Sequence, residues 1–214
     1  MKKVSLLFAL ILTSLLAKSQ NFAIGHLTAS TTDASRSRNI STEIYYPADV
    51  AGNNVAFTQQ PITSPILVFG HGFVMTWDAY ANIWQSLVPH GYLIAFATTE
   101  TGFSPSHLDF GKDLAYMVTY LQSESNNPAS TFYQRLDSAA CVMGHSMGGF
   151  QVLNYGIHHN DHLNGIIALA PLAGRDSLYE AEFTKMVMKR KGQPYYEAGA
   201  AIFFGKDTTK TKNS

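Results

Sequence analysis

The segment Gly144-His145-Ser146-Met147-Gly148-Gly149 constrains this chain most. Before it runs Ala139-Ala140-Cys141-Val142-Met143, a short apolar stretch of buried-strand type. After it, Met147, Phe150, Asn154 and Ile157 recur on one helical face, mostly apolar. Gly-x-Ser-x-Gly between strand and helix requires a sharp, strained turn. Small residues flank the serine because a larger Cβ would strike the neighbouring strand or helix backbone. Such a turn lifts Oγ of Ser146 out of the sheet. It also aims the N–H of Met147, at a helix N-terminus, into the same space. A Gly-rich strand–helix turn with an idle serine would share the six letters; the flanking strand and helix favour the functional reading.

The rest of the chain supports a sheet around this turn. Asn21 to Thr28 reads as a first strand and Ser41 to Pro47 as a second, ended by the proline. The Ser- and Thr-rich stretch Ala29 to Asn39 between them reads as a loop or hairpin tip, and Asn53 to Ser64 as another loop. The two strands are expected to pair antiparallel at one edge. Pro65 to Phe69 is continuously apolar, as a strand covered on both faces should be, and runs into Gly70-His71-Gly72-Phe73. A helix is predicted from Asp78 to Pro89 and a strand from Tyr92 to Ala97. His107 to Glu124 is the clearest amphipathic helix, with Phe110, Leu114, Met117, Val118 and Leu121 as its apolar stripe. Gly165 to Ala170 is a further strand. Strands alternating with helices predict the α/β class: a mostly parallel sheet with helices on both faces.

The two ends are read separately. Lys2 and Lys3, then Val4 to Ala17, then Ala17-Lys18-Ser19 form a secretory signal pattern, cut between Ser19 and Gln20. The apolar run is about fourteen residues, short of the roughly 20 that span a bilayer. Residues 1–19 are thus expected to be a signal peptide on an exported protein, and 20–214 a single domain. Near the other end, Ser177-Leu178-Tyr179-Glu180 is a capping box opening a helix, with Lys189, Arg190 and Lys191 at its close. Ala200 to Phe204 reads as one more strand.

Composition excludes several classes. With 15 Lys and Arg against 15 Asp and Glu, the formal net charge is zero, so no nucleic-acid footprint is visible. Cys141 is the single cysteine and reads as a small buried hydrophobe, which removes cysteine-built metal sites. His158, His159 and His162 lack the carboxylate spacing of a metal site and read as a surface cluster. No metal site is expected.

The chemistry follows from Ser146. A serine hydroxyl attacks a carbonyl only with a base beside it, normally a histidine oriented by a carboxylate. The oxyanion then needs donors. Met147 N–H is one; the second is expected from Phe73 N–H, where Gly70-His71-Gly72 allows a tight turn. Phe73, Met75 and Trp77 are candidates for an apolar substrate pocket or for plain core packing. His71 sits where the oxyanion backbone must turn, which suits a structural hydrogen-bonding role. His145 precedes the nucleophile, and its side chain is expected to point away from Oγ.

These segments resemble the α/β-hydrolases, in particular the chlorophyllase, dienelactone-hydrolase and polyester-hydrolase branch. The resemblance lies in Phe69-Gly70-His71-Gly72-Phe73, Tyr92 to Ala97, Gly144 to Gly149 and Ile166 to Pro171, and covers roughly residues 40–172. It implies a secreted carboxylic-ester hydrolase acting through an acyl-enzyme without a cofactor, on a small-molecule or polymeric ester. It also implies Ser146 as nucleophile with Phe73 and Met147 as oxyanion donors. The family order is Ser, then an acid, then His. Asp207, after a strand-like run and Gly205, takes the acid's place, with Asp176 as a rival. No histidine follows His162, so the domain is expected to be incomplete after about residues 174–207. Two functions stand: a serine esterase impaired in these residues alone, or an inactive, binding-only relative.

Overall fold

In the computed structural model, residues 21–158, 163–171 and 200–204 are described. The signal pattern, the capping box at Ser177, His159, His162, Asp176 and Asp207 lie outside the described residues.

The strands are β1 (Ala23–Asp33), β2 (Arg38–Ala48), β3 (Gly52–Asn53), β4 (Ser64–Gly70), β5 (Leu93–Ala97), β6 (Leu136–His145), β7 (Gly165–Leu169) and β8 (Ala200–Phe204). The α-helices are α1 (Ala81–Leu87), α2 (His107–Glu124) and α3 (Met147–His158). They build one mixed sheet in the order β3-β1-β2-β5-β4-β6-β7-β8. Its centre, β5-β4-β6-β7, is parallel. The β1–β2 hairpin flanks the centre on one side, with β2 antiparallel to β5. On the other side β8 is antiparallel to β7, so Ala200 lies beside Leu169 and Phe204 beside Gly165.

Side-chain alternation across a strand sends successive residues to opposite faces. On one face Ile66, Val68, Leu93, Ala95, Ala140 and Val142 pack with Phe110, Leu114 and Met117 of α2 and Val152 and Leu153 of α3. On the other, Leu67, Phe69, Ile94, Phe96 and Met143 pack with Tyr80, Trp84 and Val88. Trp84 stacks on Tyr45 of β2 at 4.3 Å between centroids, with the rings nearly parallel. Burial on both faces is why β4 and β5 carry unbroken apolar runs. Helices cover both faces, as expected.

Three local expectations need correction. The strands of the hairpin reach further than read: β1 runs to Asp33 and β2 starts at Arg38. The Ser/Thr stretch is polar because its residues alternate toward solvent. There Thr32 Oγ1 donates to Asn39 Oδ1 across the strands at 2.6 Å. The dipeptide β3 takes in Asn53, at the start of the stretch read as a loop, and pairs parallel with Gly25 and His26 at the outer side of the hairpin. Finally, the helix predicted over Asp78–Pro89 is three pieces: a 3-10 turn Trp77–Tyr80, α1, and a 3-10 turn Val88–His90. No side chain caps α1, and Pro89 stands in the last turn. A short segment without a cap tightens readily into 3-10 geometry.

Candidate active site

The parallel strands β4, β5, β6 and β7 all end on the same edge of the sheet, which is where open α/β sheets place their sites. Backbone strain gathers there. Val74 (φ 55°) follows β4, Glu100 (φ 62°) follows β5, Ser146 (φ 52°) follows β6 and Ala170 (φ 41°) follows β7. None is glycine, and each holds a left-handed conformation that costs of order 1–3 kcal/mol unless its surroundings impose it. The surroundings of Ser146 do so. Its N–H donates to Leu169 carbonyl at 3.0 Å, and its own carbonyl accepts from Phe150 N–H at 3.0 Å, starting α3. Ser146 is half-buried, whereas Met147 is fully buried.

The glycines are needed for close approach. A Cβ on Gly144 would collide with the carbonyl of Gly148, and one on Gly148 with the carbonyl of Gly70. The start of α3 therefore lies directly against the end of β4. Gly148 N–H donates to the carbonyl of His71 at 3.0 Å. The loop expected to supply the second oxyanion donor is thus bonded to the turn that carries Ser146.

That loop has its own restraints. Met75 N–H donates to Gly72 carbonyl at 3.1 Å, closing a turn over Phe73 and Val74. Gly72 N–H donates to the hydroxyl of Tyr80 at 2.8 Å. The Tyr80 hydroxyl also meets His145 Nδ1 at 3.0 Å and Met75 Sδ at 3.2 Å. Burial pushes the Tyr80 hydroxyl above its ordinary pKa, partly offset by the Gly72 N–H bond, so it stays a neutral phenol. His145 is thereby held toward Tyr80 and the oxyanion loop.

His71 is buried, with Nδ1 2.8 Å from Gly72 carbonyl and Nε2 2.8 Å from Thr99 carbonyl. With both nitrogens against main-chain acceptors, its ring is structural, as the sequence suggested. Of the three apolar candidates, Met75 and Trp77 pack on the second core cluster, while Phe73 is 50% exposed at the strand-end edge. His107, at the start of α2, lies 3.4 Å from Gln151 through Nδ1.

A group of residues that the sequence did not point to joins the β1–β2 hairpin to α2 and to the loop after β5. Asp113 on α2 is fully buried. Arg38 meets it through Nε (2.9 Å to Oδ1) and Nη2 (2.8 Å to Oδ2), and Arg36 through Nη2 (2.7 Å). Thr99 Oγ1 donates to Asp113 Oδ2 at 2.6 Å. Arg38 also pairs with Glu100 and Arg36 with Asp33. Hydrogen bonds that Arg38 donates to the Asp113 carboxylate, outweighing burial, raise the Arg38 pKa further, so its charge is permanent. One signal was available: an aspartate at position 113 interrupts the apolar stripe between Phe110 and Met117, and a buried carboxylate needs partners.

Among the described residues no cluster of His, Cys, Asp or Glu could hold a metal ion, and no helix is long and apolar enough to cross a membrane. Cys141 is half-buried, and burial pushes its thiol up, away from the reactive thiolate.

A serine on a strained strand-to-helix turn, at the carboxyl edge of a parallel sheet sandwiched by helices, defines an α/β-hydrolase of the serine type. A family model described as serine aminopeptidase, S33, matches residues 61–202, about two thirds of the chain. The chain belongs to that family of the α/β-hydrolase superfamily. A search of curated proteins finds no match.

Proposed function

We propose that Ser146 is an acyl-transfer nucleophile acting on carboxylic esters, with Met147 and Phe73 N–H groups binding the oxyanion. The single observation that carries this is the left-handed Ser146 bonded into place at the strand–helix turn. The carbonyl of the substrate would lie between Oγ and the two N–H groups. With a base to take the Oγ proton and return it to the leaving oxygen, attack forms the tetrahedral intermediate, collapse expels the alcohol and leaves the acyl-enzyme, and water then releases the acid. Each oxyanion donor of this kind contributes about 10²–10³-fold in rate. The half-exposed Phe73 beside the proposed donor favours an apolar acyl or alcohol group, as in the chlorophyllase- and polyester-hydrolase-like branch.

The acid is proposed to be Asp207, by family order. Within these 214 residues no histidine follows His162, and His71 is committed to main-chain carbonyls. Residues 20–214 alone are therefore proposed to turn over esters near background, since loss of such a histidine costs about 10⁶ in kcat. We further propose export through residues 1–19.

The test compares residues 20–214 with a form extended by a family-like C-terminal segment carrying a histidine. Nitrophenyl esters of increasing acyl length and an aminoacyl amide are assayed on both, with Ser146→Ala as control. Ester turnover gained on extension and abolished by Ser146→Ala supports the proposal. Turnover of the amide with none of the esters would overturn the ester assignment, and activity surviving Ser146→Ala would overturn the nucleophile.

A further inference from the structure

We propose that Asp113, clamped by Arg36 and Arg38, is a positioning residue for the oxyanion donors and acts on them through Thr99 and His71. The inference rests on the assignment of Ser146 above, and every link in it is a short contact. The two guanidinium groups reach Asp113 from the β1–β2 hairpin at 2.7–2.9 Å. Asp113 Oδ2 accepts from Thr99 Oγ1 at 2.6 Å. Thr99 carbonyl faces His71 Nε2 at 2.8 Å. His71 carbonyl accepts from Gly148 N–H, two residues beyond Ser146.

Phe110, one helical turn before Asp113 on α2, adds a second hold by packing on the His71 ring at 4.6 Å between centroids. The carboxylate is thus the point at which hairpin, helix α2 and the loop after β5 are joined to the oxyanion loop. Need for such a hold is visible in the backbone: Val74, Glu100 and Ser146 all keep strained left-handed conformations at this edge. A β-branched residue such as Val74 does not stay there unaided. Held donors cost no reorganisation when charge develops, and a displacement near 1 Å from a remote change can cost about 10²-fold in rate.

Thr99 is the link to test, because Thr99→Val keeps the side-chain shape and removes only the hydroxyl. Two readouts are used. One is labelling of Ser146 by a fluorophosphonate, resolved into maximal rate and half-saturating concentration. The other is amide hydrogen exchange in peptides covering 70–75 and 144–149. Thr99→Val is expected to lower the maximal labelling rate about tenfold to hundredfold, leave the half-saturating concentration unchanged and speed exchange at 71–74. Thr99→Ser, which restores the hydroxyl, should recover both. Wild-type labelling and exchange in Thr99→Val would overturn the proposal while leaving Ser146 as nucleophile. Should no form label at Ser146, the one extended by a histidine-bearing segment included, the functional assignment fails instead, and exchange decides alone: unchanged exchange at 71–74 overturns the positioning role.

Discussion

The N–H of Gly148 donates to the main-chain carbonyl of His71 at 3.0 Å, tying the first turn of α3 to the loop that leaves β4. The bond is possible because no side chain separates the two backbones: a Cβ on Gly148 would collide with Gly70 carbonyl and lie 2.8 Å from His71 carbonyl. Backbone cannot rotate aside as a flexible side chain can. Gly148→Ala is therefore expected to cost about 3 kcal/mol or more. Gly102→Ala is the control, since a Cβ there meets nothing within 4 Å. Urea midpoints of the two variants check this; equal midpoints would count against the close approach.

Ser146 holds φ at 52°, which glycine adopts freely and serine does not. Ser146→Gly is expected to raise stability by about 1 kcal/mol, the relieved strain less the extra entropy glycine loses on folding. The same change should remove all fluorophosphonate labelling. A fall in stability would mean that the turn is not strained at this residue.

Asp113 is buried with two guanidinium groups upon it. Removing the shared partner leaves two partly buried cations, and breaking a buried pair in this way costs about 3–5 kcal/mol. Asp113→Ala is expected to lose that much in chemical denaturation. A loss under about 1 kcal/mol would show that solvent reaches the cluster.

Asp33 links the stability of the fold to acid. The Ser35 hydroxyl, then Arg36, hold its carboxyl below the ordinary value of 3.8. The unfolded chain therefore binds its proton at higher pH than the folded chain does. The stability from Asp33 is complete above about pH 5 and is lost as pH falls through and below 3.8. Between pH 5 and 3 the urea midpoint of the unaltered protein should fall more steeply than that of Asp33→Asn. Parallel slopes would remove Asp33 from the account.

Much of the fold was legible because the deciding signals are local. A continuous apolar run marked β4 as a doubly covered strand, apolar segments marked β5 and β7 as strands, and the stripe from Phe110 to Leu121 gave α2 with its ends at His107 and Glu124. The turn at Ser146 was legible because glycine at 144 and 148 has a steric cause. The long hairpin was less so: its Ser/Thr-rich part resembles a loop in composition and is held by pairing with a strand whose register only the fold supplies. Asp113 interrupting the apolar stripe was the one sign of its cluster, and its partners were hidden for the same reason. Arg36, Arg38, Thr99 and Asp113 are brought together by topology, and no spacing along the chain announces it. Tyr80 was hidden inside a segment read as one uniform helix.

The central claim is that Ser146 is the nucleophile, and its most direct test is covalent. The longest form that folds is treated with a fluorophosphonate, digested, and the adduct mapped by peptide mass spectrometry. The expected result is a single adduct on Ser146, absent after Ser146→Ala. An adduct on another serine, or labelling undiminished in Ser146→Ala, would contradict the account.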